Sequence, residues 1–283
     1  MRPPRIEVQA SKRLLSLRVL SRGIRVRCGD SATQGLVLAA YGEMLGDAGD
    51  VALDYAVGRD RAAERYYVAR QGQRPLVARD DGTFLAAFDR DIGIELQKMR
   101  RDLYFVHAAV LIRRKAVMLV AKPGGGKSTL TWAMLHHGFG FLSDELAPVD
   151  LDTLQVHPYP RRLALKRKPP DSYPLPRRTV VTSRSLHVQD VPGRVGKAPA
   201  QLEAVVFVQY NPDASRPLIR RLTTAEAGAR LYANVLNALA HASDGLDGAV
   251  RITAACPCYE LVSAGLPATA SLLAETLESR HQI

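Results

Sequence analysis

Cysteine, tryptophan and long apolar runs are what this 283-residue chain has least of. Its three cysteines, Cys28, Cys256 and Cys258, are too few for the disulfide framework of a small secreted domain. Cys256-Pro257-Cys258 has no Cys/His set of metal-binding spacing around it, so it reads as thiols near a strand rather than a zinc site. No stretch approaches the roughly 18–20 apolar residues that a membrane-spanning helix needs. The start, Met1-Arg2-Pro3-Pro4-Arg5, lacks the apolar region of a secretory signal, and the expectation is a cytoplasmic protein with no membrane partner. Acidic residues are also short, 28 against 39 Lys and Arg, which leaves a formal net charge of +11. That balance suits an anionic partner such as a nucleotide, an acidic protein or a nucleic acid. A solvated arginine-rich surface is the competing explanation. No helix-turn-helix, RNA-stacking or zinc-finger pattern supports specific nucleic-acid readout.

Apolar residues are plentiful, at 47% of the chain, and a sizeable core can form. The most informative stretch is Val120-Ala121-Lys122-Pro123-Gly124-Gly125-Gly126-Lys127-Ser128-Thr129. An apolar run, Ala116 to Val120, precedes it as a strand would. Leu130, Met134 and Leu135 follow at helical spacing. Strand, glycine-rich turn and helix are the context of a phosphate-binding loop. Glycines let backbone N–H groups close on phosphate oxygens, and the helix beginning at Lys127 points its positive end at the same anion. Lys127 is expected to reach the β/γ-phosphates, and the Ser128 hydroxyl to ligate Mg²⁺. Ala121 stands where the strict pattern has its first glycine. A left-handed L-residue costs roughly 1–2 kcal/mol, so an ordinary φ or an altered loop entry is expected there. A glycine turn that merely joins strand to helix is the plainer alternative.

Around this loop the chain divides into an α+β module, residues 1–102, and a catalytic module, residues 103–283. In the first, residues 16–20, 23–28, 51–57, 65–70 and 75–78 read as strands. A helix follows Asp30-Ser31, and a longer one carries Phe84, Phe88, Ile92, Leu96, Met99 and Leu103 on one stripe. In the second, a strand runs from Tyr104 to Ile112 and reverses into the loop strand. Phe139 to Glu145 is a strand ending in two carboxylates, and residues 146–150 and 154–157 form a hairpin. The Pro-rich basic stretch 168–184 reads as a long mobile loop. Residues 204–209 and 258–262 are strands, and 225–242 and 268–280 helices.

Three features join the loop. Asp144-Glu145 ends the strand after the loop's helix, on the sheet edge where such folds bind ligands. One carboxylate can hold Mg²⁺ while the other takes a proton from an attacking hydroxyl. An ordinary surface acidic pair is the bland reading. His107, in the strand before the loop strand, is either a satisfied core histidine or a partner that tunes the Asp144 carboxylate. Arg161, Arg162 and Lys166 could stabilise charge on a transferring phosphoryl group, or form a solvated basic strand.

From His107 to Lys166 the chain resembles the catalytic domain of HPr kinase/phosphorylase, and more closely the HPr kinase-related enzymes of proteobacteria. The likeness is carried by a histidine before the loop strand, as His107. It continues with Gly126-Lys127-Ser128, with Leu142-Ser143-Asp144-Glu145, and with a Pro-rich cationic stretch ending in Leu-Lys, as Tyr159 to Lys166. The resemblance implies an α/β P-loop core related to phosphoenolpyruvate carboxykinase, and often oligomers. It implies Asp144 as general base, His107 modulating it, and Glu145 with Ser128 helping to hold Mg²⁺. The sequence departs from the family in its second acid, which is Glu and not Asp. The segment tied to phosphorolysis in the bifunctional enzymes is not recognisable between Pro170 and Gly196.

The expectation is therefore an ATP- and Mg²⁺-dependent kinase acting on a hydroxyl, foremost a serine of a protein or peptide. Lys122, Pro123, Gly124, Gly125, Gly126, Lys127, Ser128 and Thr129, with Arg161, Arg162 and Lys166, form the expected nucleotide contacts. The rival expectations are a kinase of a small molecule or of a ribosomally made peptide product, as in lasso-peptide tailoring, and a non-catalytic ATP-binding regulator.

Overall fold

Apolar residues alternate with polar ones from Leu15 to Val19, and the first sheet is built on that alternation. The computed structural model describes residues 13–60 and 62–279. Strands β1 (Arg13–Val19) and β2 (Arg22–Cys28) pair antiparallel, joined by Leu20 and Ser21, both at positive φ as a tight hairpin turn requires. Helix α1 (Ser31–Tyr41) starts at Asp30, whose carboxylate accepts from the Thr33 N–H at 2.8 Å. Strands β3 (Val51–Asp60), β4 (Arg65–Arg70) and β5 (Leu76–Ala78) complete a five-stranded sheet in the order β1-β2-β3-β4-β5. Helix α2 (Asp81–Met99) buries Phe84, Phe88, Ile92 and Leu96 against this core. It stops at Met99, and Leu103 opens the next strand instead of extending the stripe. Leu103, Phe105, Leu146 and Tyr159 pack into the same cluster, so later segments contribute to the core of the first sheet.

The expected strand Tyr104–Ile112 breaks at His107 into β6 (Leu103–Val106) and β7 (Ala108–Ile112). The His107 N–H leaves the ladder and donates to the Asn234 carbonyl at 2.8 Å. Then come β8 (Ala116–Val120), α3 (Lys127–His136), β9 (Gly140–Ser143), β10 (Ala147–Asp150) and β11 (Gln155–Val156), the last two forming the expected hairpin. Strands β12 (Ala164–Leu165), β13 (Thr179–Val181) and β14 (Leu186–Val188) make a three-stranded sheet. The stretch 168–184 is thus no long mobile loop. Thr179-Val180-Val181 pairs with β14, the Trp132 indole donates to the Tyr173 carbonyl at 3.0 Å, and the Ser183 hydroxyl donates to Asp80 at 2.6 Å. Proline content marks irregular backbone, and these long-range partners are what pin it.

The chain closes with β15 (Ala200–Tyr210), β16 (Leu218–Arg221), α4 (Thr224–Tyr232), α5 (Leu246–Ala255), β17 (Cys258–Ser263) and α6 (Leu266–Glu278). The expected helix 225–242 ends at Tyr232. Beyond it Asn237 accepts from the Phe105 N–H at 2.9 Å and donates to the Leu103 carbonyl at 2.8 Å, so its amide serves β6 rather than a helix. Helix α5 was not legible in the sequence, and the expected end of the last helix, Arg280, lies outside the described residues.

β8, β15 and β17 run parallel, and β7 lies antiparallel between β8 and β9. Side chains of β8 alternate between two layers. Val117 and Leu119 face α3 and α6, while Met118 and Val120 face α4 and α5. This topology brings the C-terminal ends of β8, β9, β15 and β17, and the start of β7, to one edge. The fold is mixed α/β with several sheets. No helix among the described residues is long and apolar enough to cross a membrane.

Candidate active site

At that edge, β8 runs into the glycine loop. Ala121 has no positive φ, which explains why a residue with a Cβ is accepted at the loop entry. Gly124 and Gly126 sit at φ 82° and 88°, where an L-residue is strained. A Cβ on Gly125 would approach the Lys122 carbonyl to 3.0 Å. Lys122, Pro123 and Gly124 are exposed, and Gly125, Gly126, Ser128 and Thr129 half-buried. Helix α3 begins with no side chain capping it, so no side-chain oxygen takes up its first-turn N–H groups.

Lys127 turns inward. Its ammonium donates to the Asp144 carbonyl and lies 3.9 Å from Glu145 Oε2. The Ser128 hydroxyl donates to Asp144 Oδ2 at 3.1 Å. Asp144 itself is fully buried, and its Oδ1 has no hydrogen-bond partner. Burial pushes the Asp144 pKa up, with the Glu145 charge adding to it, while Lys127, Arg161 and the Ser128 bond act the other way. The Ser143 hydroxyl donates to the Leu146 carbonyl and fixes the turn that carries the acidic pair.

Glu145 is 42% exposed at its side chain, and His107 Nδ1 lies 3.5 Å from its Oε2. Burial, then the Lys127 charge, pulls the His107 pKa down; Glu145 partly offsets this. His107 was expected beside Asp144. It stands beside Glu145 instead, because the break between β6 and β7 turns the ring toward the outer of the two carboxylates.

Arg161 and Arg162 are placed elsewhere than expected. Arg161 is buried and ion-pairs with Asp89 of α2, which also accepts from the Tyr41 hydroxyl at 2.7 Å. Arg162 donates to Gln189 and lies 3.5 Å from Glu43, while its N–H bonds the Ala40 carbonyl at 2.8 Å. Both guanidinium groups tie the first sheet's helices to the second half of the chain. The sequence displays their charge but hides their partners, Asp89 lying 72 residues upstream of Arg161. Lys166 is exposed just past β12, in the three-stranded sheet. Two neighbours escaped the sequence reading. Asn234 holds the His107 backbone, and Tyr210, exposed at the end of β15, lies beside Gly126, where a Cβ would come 3.9 Å from its own. Strand order alone reveals them.

Among the described residues no group of three or more His, Cys, Asp or Glu side chains stands together as a closed metal cage. A hydroxyl with one or two carboxylates is what Mg²⁺ uses when phosphates supply its other ligands, and Ser128, Asp144 and Glu145 fit that donor set. The unpartnered Oδ1 of Asp144 is the atom that asks for a cation.

Fold and site together define a mixed α/β protein with a strand–glycine loop–helix unit facing an acidic pair. No protein-family profile and no curated protein sequence matches the chain. Among solved structures it is similar to the Hpr(Ser) kinase/phosphatase from Coxiella burnetii, with 16% identity and a TM-score of 0.32, over 63% of this chain and 95% of that one. That likeness is remote.

Proposed function

We propose that this chain is a phosphotransferase that moves the γ-phosphate of ATP to a hydroxyl, with Mg²⁺ as cofactor and the serine of a protein or peptide as acceptor. The observation that carries this reading is the meeting of Lys127, Ser128 and a buried, incompletely partnered Asp144 at the mouth of an uncapped glycine loop. Phosphoryl transfer asks a protein chiefly for positioning and charge neutralisation, and this group offers both. The loop N–H groups and the α3 N-terminus would hold the phosphates, with Lys127 exchanging its carbonyl partner for a phosphate oxygen.

The two carboxylates divide the work. Asp144, bonded to Ser128 and sealed from water, suits the metal side. Glu145, reachable from solvent and beside a histidine whose pKa burial lowers, suits the proton acceptor. Bound Mg²⁺ would neutralise charge on the β- and γ-phosphates. A second division is favoured by the raised pKa of Asp144, which brings its basicity closer to that of a working general base and returns the role to Asp144.

Transfer of labelled γ-phosphate from ATP to a host lysate tests the class and finds the acceptor. Glu145→Gln is expected to keep Mg·ATP binding and to lose transfer. Asp144→Asn is expected to lose the Mg²⁺ dependence of nucleotide binding as well. If no acceptor is labelled by the wild-type protein under conditions where ATP binds, the enzymatic reading fails and the binding-only regulator stands.

A further inference from the structure

Strand order fixes which way a donor bound at the glycine loop would run. β8, which feeds the loop, has β7 on one side and β15 on the other, and β9 lies beyond β7. Asp144 and Glu145 follow β9, so a phosphoryl group at the acidic pair would sit on the β7 side of the loop. The rest of the donor would then extend across the loop toward β15. From β9 to β15 is three strand spacings, roughly 14 Å. Inorganic triphosphate is too short to cross that distance, whereas a nucleoside triphosphate crosses it and arrives with its base.

What waits at β15 is an aromatic ring. Phe207 pairs with Val120, the last residue of β8, and β15 continues for three more residues, roughly 10 Å, to Tyr210. Alternation sets the side. Val206 and Val208 pack in the layer of α3 and α6, and Tyr210 is the next residue on that face. Gly126, at the start of α3, comes up against it, since a Cβ there would lie 3.9 Å from the Tyr210 Cβ. The backbone around the tyrosine is pinned. Tyr210 is in register with Ser263 of β17, and the Asn211 N–H donates to the Ser263 carbonyl at 3.0 Å.

The ring itself is uncommitted. Tyr41, Tyr55 and Tyr104 are fully buried and bond their hydroxyls to Asp89, Asp91 and the Gly245 carbonyl. Tyr210 is 53% exposed, and among the described residues no ring stacks on it and no group bonds its hydroxyl. The other exposed aromatic among the described residues, Tyr232, ends α4. That helix packs on the opposite layer, and Asn234, two residues on, bonds His107, which puts Tyr232 on the side of the acidic pair.

From this arrangement we infer that Tyr210 is the platform on which the base of the phosphoryl donor stacks, so that the site selects a nucleoside triphosphate over inorganic polyphosphate. The inference rests on the phosphate-loop reading proposed above and adds the residue that recognises the base. An aromatic face accepts any planar base, so the platform favours nucleotides as a class and not adenine in particular.

The test is calorimetric titration of ATP and of inorganic tripolyphosphate, each with Mg²⁺, into the wild-type protein, Tyr210→Ala and Tyr210→Phe. The wild-type protein should bind ATP more tightly than tripolyphosphate. Tyr210→Ala should weaken ATP by about 10–100-fold and leave tripolyphosphate unchanged, which also shows the loop to be folded. Tyr210→Phe, which keeps the ring, should keep the ATP affinity. Undiminished ATP binding by Tyr210→Ala, an equal loss of both ligands, or equal affinity of the wild-type protein for both would overturn the inference while leaving the loop a phosphate site. Binding of neither ligand by the wild-type protein would remove the loop reading, and this inference with it.

Discussion

Asp144 and Arg161 are both at least nine-tenths buried, and each feels the other's field, yet the protein treats them differently. Arg161 meets an opposite charge, Asp89, brought from α2, and a tyrosine hydroxyl completes that carboxylate. Asp144 meets a serine hydroxyl on one oxygen and nothing on the other, while the nearby ammonium of Lys127 spends its bond on a backbone carbonyl. Burying a carboxylate without full pairing costs stability. Single unpartnered atoms also occur at the seam around Arg161, on Arg161 Nε and Arg162 Nε, but at Asp144 the shortfall falls on a carboxylate that stands beside a half-exposed glutamate and a glycine loop. At the seam the buried charge of Arg161 is matched by Asp89; at the sheet edge the buried Asp144 carboxylate is met by a neutral hydroxyl.

The largest effect that would break this contrast is on chemistry. Glu145→Gln should cut phosphoryl transfer by about 10²–10⁴-fold. Arg162→Ala, at the seam, should leave turnover per folded molecule nearly unchanged. Equal losses in rate for both would erase the distinction between edge and seam.

Next comes stability. Asp89→Ala leaves the Arg161 guanidinium buried without its counter-ion and should cost about 3–5 kcal/mol. Asp144→Asn removes a poorly matched buried charge and should leave the melting temperature unchanged or raise it. Urea unfolding of the two variants would sharpen the comparison, and a larger loss in Asp144→Asn would reverse it.

A pH effect of similar size is expected from His187 in β14, close enough to Arg161 to feel its charge. Burial first, then Arg161, lowers its pKa to about 4. An unfolded histidine titrates near 6.5, so between about pH 4 and 6.5 the unfolded chain holds the extra proton. The contribution is therefore complete above pH 6.5 and lost as pH falls toward 4, about 3 kcal/mol over the interval at roughly 1.4 per pH unit. His187→Gln should flatten that part of the stability–pH curve; an unaltered slope would assign it to other groups.

The smallest effect is conformational. Gly126→Ala places a Cβ at φ 88° and should cost about 1–2 kcal/mol while weakening nucleotide binding, because the loop N–H groups must shift. Gly138→Ala, at φ 82° but on the far end of α3, carries a similar strain and should leave nucleotide affinity alone.

Much of the edge was legible in the sequence because it is local. The loop's glycines, the lysine and serine after them and the acidic couplet after one helix lie within 25 residues, and strand and helix periods supply the rest. The seam was not legible. Arg161 looked like a phosphate ligand because charge is visible in a sequence and a partner on α2 is not. The same limit explains His107, whose break from β7 is set by Asn234, and the end of α4, beyond which the Asn237 amide bonds the backbone of β6. The prolines of 168–184 signal irregular backbone correctly, but Trp132, Asp80 and β14, which hold that backbone, are remote.

Calorimetric titration of ATP, with and without Mg²⁺, into the wild-type protein and Lys127→Ala tests most directly whether the edge is a nucleotide site. Saturable binding by the wild-type protein, tightened by Mg²⁺ and abolished in the variant, is the predicted result. Equal affinity in both proteins, or none in the wild type, would contradict it.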